Sequence, residues 1–258
     1  MIDVNTFLGG YPFRRIPGTT TEALLGSMDR LGIEAAWVSH LPAIFWRDPT
    51  EGNPWLYEAT AHEPRFRPVP SVEPGLANWE SELAVAVERN APAVRVDPTV
   101  HGLDPVGREM RNLAVGCGEA GVPILLGTRF EDGRQRHPID HSGELPAAAV
   151  RALVRADART RVLVTHADRG FIEETHWSLT PGESSRIWWD FCWIWGPPED
   201  HLQFLLETIG PARFVLGTGM PLRIPETPIA RLDLLDLSTA DRAAIDHGNA
   251  EALSRKPA

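Results

Sequence analysis

Eight short apolar runs, each followed by a helical pattern, constrain the fold of this 258-residue chain more than any other feature. The runs have the length and composition of buried strands, and the segments between them place apolar residues at helical spacing. They are Ile2 to Asn5, Ala35 to Ser39, Phe66 to Val72, Ala93 to Asp97, Val122 to Leu126, Val162 to Val164, Ile187 to Trp193 and Phe214 to Gly217. Strands that alternate with helices pair in parallel, because the helix makes the crossover connection.

Eight such units in a chain of this length close into a barrel more readily than they form an open sheet. The pattern therefore predicts an α/β protein, a parallel eight-stranded (β/α)8 TIM barrel that forms a single domain over residues 1–258. The alternative is an open doubly wound sheet, which the lack of a Gly-x-Gly-x-x-Gly turn after the first run disfavours.

A histidine follows the sixth run. In the stretch RVLVTHADRG, the apolar residues of a buried strand lead directly into Thr165 and His166. The carboxyl ends of barrel strands carry the chemistry of this fold. We therefore expect His166 to lie in the functional mouth of the barrel.

The charge balance restricts the classes of partner. The net charge is −10, and the absence of any block of Lys and Arg argues against nucleic acid and membrane surfaces as partners. The one lysine, Lys256, lies near the end, so no Schiff-base or carbamylated lysine is expected in the interior. Cys117 and Cys192 lack metal-type spacing and are expected to be buried thiols.

Two further features bear on location. The chain has no apolar run of about 18 residues, the length of a membrane span. Its start, MIDVNTFLGG, lacks the basic and apolar regions of a signal peptide. A cytoplasmic location is therefore expected.

Several short motifs occur in a consistent order along the chain: MIDVNTF, GNPWLYEATAHEPRFRPVPSVEP, VTHADRG, RFVLGTGMP and HGNAEAL. In that order they resemble the first strand, the second helix with the third strand, the sixth-strand histidine, the eighth strand and the closing helix of the amidohydrolase-related (amidohydrolase 2) branch of the metal-dependent hydrolase superfamily. The resemblance covers almost the whole chain. It implies a (β/α)8 barrel and a hydrolase.

The resemblance also implies a set of metal ligands, and this chain departs from that set. The positions of the two first-strand histidines, the fifth-strand histidine and the eighth-strand aspartate are occupied by Asn5, Phe7, Gly127 or Thr128, and Gly219. Only His166 remains. A divalent ion such as zinc needs three or four His, Cys or carboxylate ligands. The sequence therefore predicts a site without a metal or another cofactor.

Polar residues at the predicted strand ends supply candidates for a metal-independent site. His166 would act as general acid or base, with Asp3 or Glu131 as its partner. Arginines around the mouth would bind a small anionic substrate, most simply a carboxylate, and stabilise an oxyanion. The candidate substrate-binding residues are Asn5, Arg14, His40, Arg95, Arg129 and Asp190.

Several candidates have a purely structural alternative. Asp3 could bond backbone amides at the start of the barrel, and Arg95 could form a buried pair with Asp97. His40 could lie under the second loop, and Asn5 could fill the place of a lost ligand. A separate group of tryptophans is expected to pack in the core. Those that point outward could instead form a pocket wall or a subunit contact. These tryptophans are Trp177, Trp188, Trp189, Trp193 and Trp195.

Three functional hypotheses remain open at this point. The first is a hydrolase or carbon–carbon lyase that acts on a small anionic carboxylate without the usual divalent metal. The second is a non-catalytic relative, which could form a homodimer or pair with an active homologue. The third is a metal-dependent hydrolase with an atypical ligand set, drawn from Asp3, Glu131, His137, His166 and Asp190.

Overall fold

The computed structural model describes residues 1–194 and 200–255, so Trp195 and Lys256 lie outside the described residues. Seven parallel strands form two sheets with the orders β1-β2-β3 and β4-β5-β6-β7. The strands are β1 (Ile2–Leu8), β2 (Ala35–His40), β3 (Phe66–Pro68), β4 (Val94–Val96), β5 (Ile124–Gly127), β6 (Val162–Thr165) and β7 (Ile187–Trp189). Each overlaps one of the first seven predicted runs, and β3, β4, β5 and β7 are shorter than their runs.

Isolated bridges join the two sheets and bring in an eighth extended segment, residues 214–220. Ser71 pairs with Arg95 between β3 and β4, and Trp189 pairs with Phe214 after β7. The eighth segment returns to β1 through a bridge between Met220 and Thr6. It is not a regular strand in the structure, but its pairing on both sides completes the predicted (β/α)8 barrel, which is confirmed.

Helices cover the outside of the strands. Their bounds are α1 (Thr21–Leu31), α2 (Asn53–Thr60), α3 (Trp79–Glu88), α4 (Pro98–His101), α5 (Arg108–Ala120), α6 (Ala147–Ala156), α7 (Arg169–His176), α8 (Pro181–Ser184), α9 (His201–Ile209), α10 (Glu226–Leu234), α11 (Thr239–Ala243) and α12 (Asn249–Ser254). Short 3₁₀ turns span Pro42–Phe45, Pro49–Gly52 and Pro211–Arg213, and a π turn spans Ala244–Gly248. Within the described residues, the helices are all too short or too polar to cross a bilayer.

Buried apolar side chains form two layers, one inside the barrel and one between the strands and the surrounding helices. The inner layer contains Trp37, Leu125, Leu163 and Trp188, which alternate along their strands with outward residues. Trp189 belongs to the outer layer, where helices pack on strands. The prediction that most of the tryptophan group packs the core is therefore confirmed for Trp188 and Trp189. Trp177 is 62% exposed.

Candidate functional site

His166 lies immediately after β6, at the carboxyl end of the barrel, as the sequence predicted. Its backbone is left-handed, with φ of 60°. Its amide N–H donates to Asp190 Oδ1 at 2.9 Å, which fixes this conformation. The side chain is fully buried, among the rings of Phe7, Phe130 and Trp193.

The hydrogen bonds of the His166 ring define its protonation state. Nδ1 lies 2.7 Å from the carbonyl oxygen of Arg129, which can only accept, so Nδ1 carries the proton. Burial holds the pKa of His166 well below its usual range, and the positive charges of Arg223 and Arg95 lower it further. The imidazole is therefore neutral, and Nε2 is an acceptor.

An amide bridge connects His166 to a carboxyl group. Asn5 Nδ2 lies 3.0 Å from His166 Nε2 and donates to Asp190 Oδ2 at 2.7 Å. Asp190 Oδ2 also accepts from Cys192 Sγ at 3.4 Å. Burial raises the pKa of Asp190 to about 6, so this carboxyl exchanges a proton close to neutral pH. Burial also raises the pKa of the Cys192 thiol, which stays protonated.

Three guanidinium groups surround His166. Arg95 is buried, donates from Nε to Asp97 Oδ2 at 3.0 Å, and lies over the rings of Phe7 and Phe130. Arg129 pairs with Asp168 at 2.9 Å.

Arg223 forms the third part of this group. It donates from Nη2 to the carbonyl oxygen of Phe130 at 2.8 Å and lies 3.7 Å above the Trp193 ring. Within residues 1–194 and 200–255, no carboxylate lies in ion-pairing distance of Arg223. The Nε atoms of Arg129 and Arg223 and the Nη2 atom of Arg95 are buried and have no hydrogen-bond partner among the described residues. These atoms are free to bind an anion.

The two other predicted catalytic residues do not contact His166. Asp3 is fully buried and accepts from the amide of Asn5 at 3.1 Å, and from the amide and hydroxyl of Thr218 at 3.0 and 2.6 Å. It therefore links β1 to the eighth segment, which is the structural alternative considered for it. Glu131 Oε1 accepts from Arg14 at 2.7 Å. The contact of His166 with a carboxyl group runs instead through Asn5 to Asp190.

The remaining candidates divide into two groups. The first group lies around His166 and consists of Asn5, Arg95, Arg129 and Asp190. His40 instead stacks on Trp55 at a centroid distance of 4.2 Å, under the loop after β2. Burial lowers the pKa of His40 to about 4, which makes it a neutral, packed ring. Arg14 lies at the rim, where it pairs with Glu131 and covers the Tyr11 ring at 5.7 Å.

Aromatic and aliphatic side chains cover the centre of the mouth. This cluster consists of Phe7, Tyr11, Ile16, Leu41, Ile44, Phe130 and Leu222, with Phe13 and Phe45 packed against it. Beside it lies a cavity of about 420 Å³ between the loop after β1 and the loop after the eighth segment. Arg14, Arg30 and Arg223 line this cavity. Arg223 thus connects the cavity with the His166 site, since its charge acts on both.

Sequence reasoning missed Arg223 and Cys192. Arg223 follows the RFVLGTGMP motif in the segment PLRIP, and only its loop position brings it back over the mouth. Cys192 lies two residues after Asp190, a spacing that puts both side chains at the end of β7. That spacing was the available signal for the thiol, whereas the position of Arg223 has no signature in the sequence.

Solved structures of known proteins share this fold. A dihydroxybenzoic acid decarboxylase from Polaromonas sp. JS666, with bound manganese and the inhibitor 2-nitroresorcinol, has a TM-score of 0.75 at 17% identity, over 98% of this chain and 96% of the other. The 5-carboxyvanillate decarboxylase of Sphingomonas paucimobilis has a TM-score of 0.72 at 18% identity, over 90% and 82%. An amidohydrolase from Mycobacterium avium subsp. paratuberculosis has a TM-score of 0.68 at 18% identity, over 93% and 74%.

These likenesses establish a shared barrel fold. Comparison of the sequence with protein-family models and with curated proteins finds no match. At identities this low, structural likeness is evidence for the fold alone. The chemistry depends on the residues of this chain.

The donor set around His166 does not fit the divalent metal that the resemblance implies. His166, Asp190 and Cys192 have ligand atoms within 4.8 Å of one another, which is part of the atypical set considered from the sequence. The N–H₂ group of Asn5 lies among these atoms and donates to the acceptors that a cation would need. Three guanidinium groups nearby further disfavour a cation.

Asp3 makes the stability of the fold depend on pH. Burial raises its pKa to about 7, whereas hydrogen bonds from Thr218 and Asn5 act in the opposite direction. An unfolded aspartate titrates near pH 4, so between about pH 4 and 7 the native state holds a proton that the unfolded state has lost. This contribution to stability is present at low pH and is lost as the pH rises through about 7.

We expect the free energy of unfolding of the wild type to fall, from about pH 5 to about pH 8, by about 2 kcal/mol more than that of Asp3→Asn. Asparagine resembles the protonated carboxyl and does not titrate. Urea unfolding at a series of pH values measures the difference. The exposed Asp236→Asn is the control and should follow the wild type. Equal pH slopes for the wild type and Asp3→Asn would contradict the raised pKa.

Proposed function

We propose that this protein is an enzyme, a hydrolase or carbon–carbon lyase, that acts on a small carboxylate and uses guanidinium groups where related barrels use a divalent metal. The observation that carries the proposal is the convergence of Arg95, Arg129 and Arg223 on the neutral, buried His166, since each guanidinium lies over one of the rings that enclose this imidazole. Each of the three has a buried nitrogen without a partner among the described residues. Buried donors of this kind are costly unless a ligand satisfies them.

The residues divide the chemistry between them. Arg223 and Arg129 would bind the carboxylate of the substrate, since a guanidinium matches that group in charge and shape. His166 Nε2 would accept a proton, and Asp190, with its pKa of about 6, would supply or store one. The Asn5 amide positions the His166 ring and the Asp190 carboxyl group, because it contacts both. Two proteins with this fold are named as decarboxylases of aromatic carboxylic acids, which supports a carboxylate as the substrate.

The test of this proposal is the binding of simple carboxylates to Arg223 variants. We expect benzoate to bind the wild type and Arg223→Gln to bind it about tenfold more weakly, because one charge-assisted contact is lost. Isothermal titration calorimetry measures the affinities. Arg134→Gln is the matched control, since Arg134 lies in the loop after β5, is exposed and pairs with Asp132. Its affinity for benzoate should equal that of the wild type.

Two results would overturn the proposal. Equal weakening in Arg223→Gln and Arg134→Gln would show that only the general charge of the protein matters. A metal content near one ion per chain, with binding that a chelator abolishes, would favour the atypical metal site. If carboxylates bind as expected, release of carbon dioxide distinguishes a decarboxylating lyase from a hydrolase.

The aromatic cluster over the mouth favours a second candidate, a non-catalytic relative that pairs with another copy or with an active homologue. The rings of Phe13, Phe45 and Phe130 follow one another at centroid distances of 5.1 and 5.2 Å. Such packing limits access to His166 unless the loops move. Failure of every tested carboxylate to bind, with no turnover, would favour this candidate.

A further inference from the structure

Three buried polar atoms converge on one point inside the barrel, in front of Gly127. A methyl group at Gly127 would lie 3.3 Å from Arg95 Nη2, 3.3 Å from Asp97 Oδ1 and 3.8 Å from Thr165 Oγ1. Gly127 ends β5 and is paired in register with Thr165 on β6. Arg95 and Asp97 lie on and just after β4, and Thr165 ends β6, so the two strands that flank β5 fix the point on which the three side chains converge.

All three atoms lack a hydrogen-bond partner among the described residues. The Arg95–Asp97 ion pair uses Nε and Oδ2, and this leaves Nη2 as a donor and Oδ1 as an acceptor. The side chains of Arg95, Asp97 and Thr165 are almost completely buried, at 1%, 3% and 0% exposure. A buried polar atom without a partner is costly, and here a donor, an acceptor and a hydroxyl all face the same small volume.

We propose that this volume is a binding site for one hydroxyl group. A hydroxyl both donates and accepts, so it can accept from Arg95 Nη2 while it donates to Asp97 Oδ1. A second carboxylate or an ammonium group would match only one of these two partners. The hydroxyl belongs either to a water molecule or to a hydroxyl substituent of the substrate.

The hydroxyl site and His166 adjoin the same two aromatic rings, so a hydroxyl substituent of the substrate can be the group that occupies the site. The Arg95 guanidinium lies over Phe7 and Phe130, at 4.8 and 5.4 Å from the ring centroids. Those two rings also flank His166, at 6.3 and 6.2 Å. A hydroxycarboxylate bound by the guanidinium groups would therefore have the Gly127 site beside it. The assignment of the hydroxyl to the substrate rests on the proposed function, whereas the hydroxyl site itself does not.

Two substitutions at Gly127 test the site independently of any activity. Gly127 is not among the glycines of positive φ, so a side chain there brings no backbone strain. Gly127→Ala fills the volume with a methyl group that cannot bond Arg95 or Asp97. We expect its melting temperature to fall by about 4 °C or more, the shift expected when a buried polar pair loses its partner. Gly127→Ser adds the same Cβ together with a hydroxyl, and should recover at least half of that loss.

The outcome of this comparison decides whether the site exists. A Gly127→Ala variant as stable as the wild type, or a Gly127→Ser variant no more stable than Gly127→Ala, would overturn the proposal. Differential scanning calorimetry measures both, and because the Cβ is common to them, the two variants differ only by the hydroxyl group.

Ligand pairs distinguish the two sources of the hydroxyl. If it comes from the substrate, 2-hydroxybenzoate should bind the wild type more tightly than benzoate does, and Gly127→Ser should lose that preference. If it comes from water, the two acids should bind alike in every variant while the stability pattern remains, which also supports the site. If neither acid binds, the proposed carboxylate function fails, and the stability comparison still decides the hydroxyl site.

Discussion

Replacement of Arg95 by methionine is expected to lower the free energy of unfolding by about 4 kcal/mol. Arg95 is 1% exposed, and its Nε donates to Asp97 Oδ2 at 3.0 Å. Methionine has a similar length and packs against Phe7 and Phe130, but it leaves the Asp97 charge buried without its partner. Removal of one member of a buried ion pair costs far more than the pair contributes. Urea unfolding followed by circular dichroism measures the effect.

A double variant tests whether the unpaired charge is the cause. With Asp97→Asn added to Arg95→Met, both charges are removed, and most of the lost stability should return. If the double variant is as unstable as Arg95→Met, the loss comes from packing instead.

Gly219→Ala should lower the free energy of unfolding by about 3 kcal/mol, the sum of backbone strain and overpacking. Gly219 stands where the family resemblance implies an aspartate, and it has a φ of 72°. A methyl group there would lie 3.0 Å from Arg223 Cγ, 3.2 Å from His166 Nε2 and 3.3 Å from Cys192 Sγ. Thermal or urea unfolding measures the loss, and benzoate affinity should fall with it because Arg223 is displaced.

Gly32→Ala is the matched control for Gly219→Ala. Gly32 has nearly the same φ, 70°, and a methyl group there would meet nothing within 4 Å. It therefore reports the backbone strain alone, about 1 kcal/mol. If the two variants lose the same stability, the crowding around Gly219 is unimportant and the site is looser than the distances indicate.

The fold was predictable because it depends on patterns that extend over many residues. Each of the seven strands overlaps a predicted apolar run, and His166 follows the sixth strand as expected. The eighth run does not form a regular strand, since its bonds to β1 and β7 are few and irregular. Parallel pairing of the strands brings Asn5, Arg95 and Asp190 to the same end of the barrel.

The contacts within the site were less predictable, because they depend on side-chain direction and loop path. Asp3 and Asn5 are both buried residues of β1, yet Asp3 accepts from Thr218 while Asn5 reaches His166. His40 follows β2 but stacks beneath Trp55. Arg223 reaches the mouth only because the loop after the eighth segment folds back. None of these choices leaves a periodic signal in the sequence.

The barrel closes where β1 meets the irregular eighth segment, and one titratable carboxyl takes part in that junction. Asp3 there accepts hydrogen bonds from the backbone amides of Asn5 and Thr218. Ionisation of Asp3 therefore acts on the backbone of Asn5, whose side chain contacts His166, and on the residue before Gly219, whose carbonyl accepts from the Arg223 amide. Proton concentration is thereby coupled to the shape of the site, through the scaffold and before any ligand arrives.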